Sequence, residues 1–525
     1  MPQNKNSRYK SAINFLWQTI KPQKKLYFTA SVIALVLVGT GLLQTRTTQL
    51  LIDNASAGNL RMIIISLVLF LVLITINVTL SYISGICVSR LAAESGCDLK
   101  KKISHLLVHT KYGEIIKLQA GDTLQTINSD TTVVSSFIGS DLIGLFSQFA
   151  MALGALIYVL CINPLLALVT FAYTPIGMFF TLTFNKKMNA LYPVRADSEG
   201  RALSVAEQVL SSIPIIKSFM AEKQIREKVA SEYETVYETD VKISKWNALM
   251  QTACSSTSMM PRIVYLIFAG YMVINGKLSV GVLLSVFDLL TYIIGPTVFM
   301  PFLLNGLNMS IASINRISKL ETLSQAEITE QKEYSGVPSI KLDNISFSHT
   351  EGKPIINNLS FEHTGAGIIA LCGKSGSGKT TLLDLLAGLY KPNEGKIKIN
   401  GNVSVVSQDT YLFDESILEN VRIAKPTAAD NEVAYALKLA GADNFAENFN
   451  DFTDLSGGQK QRISLARTIL SGAHIWLLDE PTSALDTETE KIILDTIKAL
   501  SKDKLILISA HRQSLVNLAE RRIDL

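Results

Sequence analysis

A run of 28 residues, Met62 to Ser89, carries no charged side chain, and it has companions. Leu26 to Thr45 is a second uncharged stretch, of 20 residues, and Asp141 and Lys186 enclose a third of 44. At ~1.5 Å rise per residue, a helix of about 20 residues crosses the ~30 Å hydrocarbon core of a bilayer. A helix also satisfies its own backbone polar groups, which that environment requires. Runs of this length therefore read as membrane spans. Composition agrees: 48% of residues are hydrophobic, 18% are charged and mean hydropathy is +0.28, too apolar for a soluble chain of 525 residues.

The number of spans follows from what interrupts the runs. Met62–Ser89 and Leu26–Thr45 give two. The stretch between Asp141 and Lys186 is broken at its midpoint by Cys161-Ile162-Asn163-Pro164, a turn signal, and gives two more. Trp246 to Gly276 contains only Arg262 as a charge, and Leu278 to Asn315 only Asp288, with Asn275-Gly276-Lys277 between them. That makes six. Residues 1–26 carry six Lys/Arg and no acid, so the positive-inside rule keeps the N-terminus cytoplasmic. Six spans then return the C-terminal half to the same side. The inner connections, roughly 90–132 and 186–245, are long, charged and helical in pattern, which predicts helices continuing past the bilayer, whereas the outer ones are short.

Arg262 and Asp288 cost about 2.5–3.5 kcal/mol each if exposed to lipid, so both are expected to face protein or a water-filled cavity. Counting from the outer turn places them at ~18 Å and ~15 Å depth. A salt bridge between them is one reading; contact with a charged group on a transported molecule is the other. The net charge of +4 and the lack of a basic run interleaved with aromatics argue against a nucleic-acid partner. The five cysteines are scattered, with no CxxC pair and no histidine at metal-ligand spacing.

Beyond about residue 340 short β-rich runs alternate with helices. Ile368–Cys372 leads into Gly373-Lys374-Ser375-Gly376-Ser377-Gly378-Lys379-Thr380-Thr381 and then a helical run to Leu389. Strand, glycine-rich loop and helix in this order form a phosphate-binding loop. Its glycines turn backbone N–H groups toward a β-phosphate, Lys379 supplies a cation and the Thr380 hydroxyl is a ligand for Mg²⁺. Ile475–Leu478 is an apolar strand ending in Asp479 and Glu480, an acid placed to hold Mg²⁺ and one placed to polarise the attacking water.

Leu455-Ser456-Gly457-Gly458-Gln459, ahead of Lys460-Gln461-Arg462 and an apolar helix, resembles the signature motif of ABC-type ATPases. The resemblance implies that ATP is capped by the signature of a second subunit, so that one chain alone does not complete a site. It further implies that Gln408 is the Q-loop glutamine, touching Mg²⁺ or water, and that Asp486, in Pro481–Asp486, belongs to the D-loop facing the partner. His511 matches the switch histidine at the γ-phosphate, and His349 stands where an aromatic stacks on adenine.

The membrane half is similar to the exporter class of the same family. Gly121, Asp122 and Asp130 match the pattern after a first coupling helix near 112–117, and Glu207 to Phe219 with Glu222 matches the segment of a second, near 211–219. The implied fold is a membrane α-helical bundle of six long helices, the type IV exporter fold, followed by an α/β P-loop ATPase. The boundaries are a cytoplasmic segment 1–25, a transmembrane domain 26–320, a linker 321–337 and an ATP-binding domain 338–525. The resemblance implies a multi-pass protein of the cell membrane, with cytoplasmic ATPase domains, lipid around it and a transported substrate. It also implies a second half-transporter as partner, in a homodimer or a heterodimer, and the use of ATP and Mg²⁺ to drive export. Import on the same fold, or an ATP-gated channel or regulatory subunit, would share every motif.

Three departures stand out. Histidine stacks more weakly than tyrosine at the adenine position. The acidic Gly-Glu element that precedes the signature is absent from Asn448–Asp454. After His511 the chain is expected to lack the family's final strand and helix.

Overall fold

The computed structural model describes residues 5–172, 174–325, 336–349, 354–374, 376–446, 455–482, 487–509 and 513–525. The chain divides into two compact units: residues 1–108 with 119–323, and residues 109–118 with 324–525.

The first unit is helical. Helix α1 (Lys5–Ile20) precedes α2 (Lys24–Ser56) and α3 (Leu60–Val108). At 49 residues α3 is about 73 Å long, more than twice a bilayer core, so the uncharged run is only its first part and the charged remainder reaches beyond the length of a bilayer core. Short α4 (Tyr112–Ile115) belongs to the second unit. The next long helix is assembled from α5 (Ala120–Gln125), α6 (Thr131–Ser136) and α7 (Leu142–Ile162), joined by π-turns at Thr126–Asp130 and Phe137–Asp141. Pro164 opens α8 (Pro164–Ala172), and α9 (Thr174–Ser211) follows on the far side of Tyr173, which lies outside the described residues. Short α10 (Ile213–Ser218) leads to α11 (Glu222–Ile274) and α12 (Val280–Glu321). Among the described residues five helices are long and apolar enough to cross a membrane. The uncharged run after Asn163, expected from the sequence as a further span, falls on α8 and α9.

Two polar clasps fix this bundle. Asp53, at the end of α2, accepts from Ser279 Oγ at 3.0 Å and from Gly281 N at 2.9 Å, so the start of α12 is tied to the first span. Asp130 is buried and accepts from Arg316 Nε at 2.7 Å and from Ser313 Oγ at 2.8 Å. The expected ion pair between Arg262 and Asp288 does not form. Arg262 Nη2 instead donates to Thr291 Oγ1 at 2.9 Å, one helical turn beyond Asp288.

The second unit is layered. Strands β1 (Ser339–Phe347), β2 (Ile356–Thr364) and β4 (Glu394–Asn400) make an antiparallel sheet in the order β2-β1-β4. Strands β3 (Gly367–Cys372), β5 (Val403–Val406), β6 (Ile475–Asp479), β7 (Leu505–Ser509) and β8 (Arg521–Asp524) make a parallel sheet in the order β5-β6-β7-β3-β8. Alternate residues serve its two faces. Ile475, Leu477, Leu505 and Leu507 pack toward the antiparallel sheet, together with Leu382 and Leu385 of α13 (Lys379–Leu386). Trp476, Leu478, Ile506 and Ile508 pack on the opposite side, chiefly with residues of four longer helices, joined by Phe445 and Leu515 of two short ones. The four are α14 (Ile417–Arg422), α15 (Asp430–Leu439), α17 (Gly457–Leu470) and α18 (Thr487–Leu500); the short helices α16 (Asp443–Ala446) and α19 (Gln513–Val516) complete the unit. Burial on both faces explains the unbroken apolar runs of β6 and β7.

Beyond position 511, where the family's final strand and helix are expected to be missing, the chain still forms a strand, β8. It pairs in parallel with β3, although only Ile523 of its four residues is buried, so no apolar run advertises it.

Residues 109–118 join the second unit through backbone pairing. Lys111 N donates to Ser324 O at 3.0 Å, Ser324 N donates to Glu114 Oε2 at 2.6 Å, and Thr110 bridges to Gln325. Hydrogen bonding from the Ser324 side chain, and then from its backbone N–H, lowers the Glu114 carboxyl from its ordinary value.

Candidate functional site

The phosphate-binding loop lies between β3 and α13, at the carboxyl end of the parallel sheet, where ligands of open α/β sheets bind. Its curvature needs glycine. Gly378 has φ of +103°, and a Cβ there would meet Ile355 Cγ2 at 2.8 Å; a Cβ on Gly373 would meet Ser377 Oγ at 2.5 Å. Lys379 Nζ folds back to donate to Gly373 O at 2.9 Å and Lys374 O at 3.1 Å, so its ammonium stands inside the loop it would share with a phosphate. Ser377 Oγ is buried there with no hydrogen-bond partner.

Thr380 Oγ1 donates to Asp479 Oδ2 at 2.7 Å, bringing the first turn of α13 onto the end of β6. Asp479 Oδ1 accepts from Ser509 Oγ, and Glu480 N donates to the same hydroxyl at 3.0 Å. The strand register sets this geometry, because Asp479 of β6 pairs with Ser509 of β7. Glu480 has φ of +46°, a conformation costly for a residue with a Cβ, and its carbonyl accepts from Gln461 Nε2 at 3.4 Å. Strained backbone at the acid that ends a sheet strand is the kind of outlier that accompanies a functional position. A cavity of about 290 Å³ is lined by His349, Lys379, Thr380, Thr381, Asp479 and Glu480, among others.

This donor set suits a phosphate chain with a hard cation. It offers a loop of backbone N–H groups, one ammonium, an unpartnered buried hydroxyl, and a hydroxyl and carboxylate oxygen already paired, the oxygen ligands that Mg²⁺ prefers.

The surroundings of His349 are more crowded than the sequence implied. The His349 ring lies 5.0 Å from Phe347 and 5.1 Å from Tyr390, and Tyr390 also meets Tyr112 at 5.5 Å between centroids. Close by, burial and then the Asp479 carboxylate push the Asp384 carboxyl up from its ordinary value, with His349 pulling the other way.

Ser456 and Gln459 sit apart from this cavity, at the start of α17. Ser456 Oγ accepts from Gln459 N at 3.3 Å and Gln459 Oε1 accepts from Ser456 N at 2.8 Å, a reciprocal cap. The cap presents the following turn, Gly457 and Gly458, as a helix N-terminus suited to an anion. Gln408 is exposed just past β5. The far end of α17 grips the chain after it, since Arg467 donates to Tyr411 O and Asn420 O at 2.7 Å each. Ser375, Asp486 and His511 lie outside the described residues, as does Asn448–Asp454.

Sequence reasoning missed Ser509 and Tyr390. Ser509 ends a strand whose partner ends in Asp479, a pairing that spacing alone does not give. Tyr390 lies 41 residues beyond His349, with only its own aromatic character as a signal.

The sequence profile of the ABC transporter transmembrane region matches residues 27–297, and that of the ABC transporter matches 356–483. This chain belongs to the ABC transporter family. A multidrug resistance ABC transporter ATP-binding and permease protein of Lactococcus lactis is 27% identical over 452 residues, covering 81% of this chain and 76% of its own. An ATP-dependent lipid A-core flippase of Syntrophus aciditrophicus is 25% identical over 472 residues, 85% of this chain and 78% of its own. A solved bacterial Atm1-family ABC exporter with ATP bound shares the fold, with a TM-score of 0.80 at 23% identity over 95% of this chain and 94% of that one. The transporter thus joins a type IV exporter-like membrane fold to an ATPase domain that binds ATP and couples its hydrolysis to transport.

Proposed function

We propose that this chain is one half of an ATP-driven exporter of the cell membrane, acting as a dimer of two copies and moving an amphiphilic small molecule, peptide or lipid-like substrate. Residues 26–320 form its membrane domain and 338–525 its ATPase, both the N-terminus and the ATPase being cytoplasmic. The observation that carries this reading is the separation of the two halves of the ATP site. The phosphate cavity is built from the loop, Asp479 and Glu480, while the described signature residues contribute nothing to it. Their capped helix N-terminus is offered to the γ-phosphate held by a second chain, which an isologous dimer satisfies twice.

In this mechanism Lys379 and the loop amides bind the β- and γ-phosphates. Thr380 and Asp479 would hold Mg²⁺, which would neutralise charge on the transferring phosphoryl group. Glu480 accepts a proton from the attacking water, Gln408 and His511 orient that water and the γ-phosphate, and Asp486 faces the partner. Ring stacking on His349 holds the base. Closure of the ATPase dimer acts on α4 and α10 and shifts the membrane helices between inward- and outward-facing states; hydrolysis resets them. The multidrug and lipid A-core transporters among its relatives support a substrate with a large apolar part.

Inside-out vesicles test the reading. ATP-dependent accumulation of a fluorescent amphiphile by the wild type, lost in Glu480→Gln, is expected. ATP hydrolysis without accumulation would favour import or gating and reject export.

A further inference from the structure

We propose that the transported molecule carries a zwitterionic head group, its anionic part held by Arg262 and its cationic part by Asp288. This rests on the export reading above.

Both residues lie within helices that cross the membrane, Arg262 on α11 and Asp288 on α12. Arg262 is held in place: Nη2 donates to Thr291 Oγ1 at 2.9 Å, and the guanidinium carbon lies 5.9 Å from the Phe287 ring centre. Its Nε is buried and has no hydrogen-bond partner. Thr291 is three residues past Asp288, so the guanidinium sits within about 4.5 Å of rise of the carboxylate along α12. Two opposite charges one turn apart ordinarily close into a pair. Here none forms within 4.0 Å, and Asp288 has no hydrogen-bond or ion-pair partner among the described residues.

The surroundings point to what fills the gap. Leu284, Asp288, Thr291 and Tyr292 are exposed on one face of α12, at the i, i+4, i+7 and i+8 spacing of a single stripe. An ionised carboxylate on that stripe is too costly to leave against lipid, so the face lines a polar path or meets protein. A ligand with one net charge would compensate one of the two residues and leave the other unmatched. A head group with an ammonium and an anion on the order of 5 Å apart, such as phosphoethanolamine, matches both. Leu284, Phe287 and Tyr292 supply apolar surface beside it for a tail.

The test compares three single-chain amphiphiles with the same oleoyl or oleyl tail: lysophosphatidylethanolamine (zwitterion), lysophosphatidylglycerol (anion) and oleylamine (cation). Each is titrated against ATP hydrolysis by the full-length dimer in nanodiscs, and the readout is the ratio of half-maximal concentrations within each variant. In the wild type the zwitterion is expected to act at about tenfold lower concentration than either relative, the worth of one charge-assisted contact. Asp288→Asn removes its advantage over the anion, and Arg262→Gln removes its advantage over the cation. Thr291→Val, which keeps both charges and frees the guanidinium, lowers both advantages by a smaller factor. Equal responses to the three amphiphiles, no response to any, or one common shift for all three in the charge variants would overturn the proposal. So would a loss of dimer on size exclusion with the ranking unchanged, which would place the two charges in contact between protomers. Failure of the export reading is separately visible, as ATP hydrolysis stimulated by lysophosphatidylethanolamine with no vectorial movement of a lysophosphatidylethanolamine carrying a fluorescent tail in proteoliposomes.

Discussion

Thr380 Oγ1 and Asp479 Oδ2 are 2.7 Å apart although 99 residues separate them in the chain, and this bond joins the phosphate loop to the sheet strand that carries the candidate catalytic acid. Asp479→Asn keeps the shape and removes the anionic oxygen. Mg²⁺-dependent ATP hydrolysis is expected to fall by about 10²-fold or more, while binding of ATP measured in EDTA changes little. Equal losses in both measurements would mean that Asp479 only supports the loop.

Glu480→Gln leaves the backbone and its bonds to Ser509 and Gln461 intact while removing the proton acceptor. Hydrolysis is expected to drop by about 10²–10⁴-fold, the range of general base catalysis. ATP should then hold the ATPase domains together, giving an ATP-dependent dimer of higher thermal stability. A variant that retained turnover would transfer the role of base elsewhere.

Ser509→Ala deprives both the Asp479 carboxylate and the Glu480 N–H of a partner. One buried donor and one carboxylate contact are lost, so a destabilisation of about 1–3 kcal/mol is expected, together with a fall in kcat at unchanged nucleotide affinity. Urea unfolding and steady-state kinetics read the two effects separately.

The Asp384 carboxyl is raised by burial and by Asp479, so its charged form is disfavoured in the folded protein. The sign follows directly: at pH above the raised value the buried charge lowers stability, and that penalty fades as pH falls toward the ordinary carboxylate range, where folded and unfolded states are both protonated. Asp384→Asn should therefore raise Tm by about 2 °C at neutral pH, with the gain shrinking on acidification. A gain independent of pH would assign the effect to packing.

His349→Tyr should strengthen ATP binding and His349→Ala weaken it, each by a few-fold, in keeping with about 0.5–1.5 kcal/mol for an aromatic pair. Tyr390→Leu, which removes the ring beside His349, should weaken binding in the same direction. Fluorescent nucleotide titration in the presence of EDTA checks all three.

The membrane spans and the phosphate loop were legible in the sequence because each follows a local rule. A helix that crosses a bilayer must be apolar over its whole length, and a backbone that wraps a phosphate needs glycine at fixed spacing. The cap at Ser456 and Gln459 is local too, as its two bonds close within three residues. What the sequence could not determine depends on groups distant in the chain. Asp130 meets Arg316 across 186 residues, and Ser509 reaches Asp479 only because β6 and β7 pair in one register. Strand β8, Arg-Arg-Ile-Asp, has no pattern of its own and exists through the edge that β3 offers it. Residues 109–118, read from sequence as part of the membrane half, cluster with the ATPase because Lys111 and Glu114 bond to Ser324. Arg262 and Asp288 were visible as charges in apolar runs, yet only the tertiary structure decided that they stay apart, with the guanidinium donating to Thr291 and not to the carboxylate.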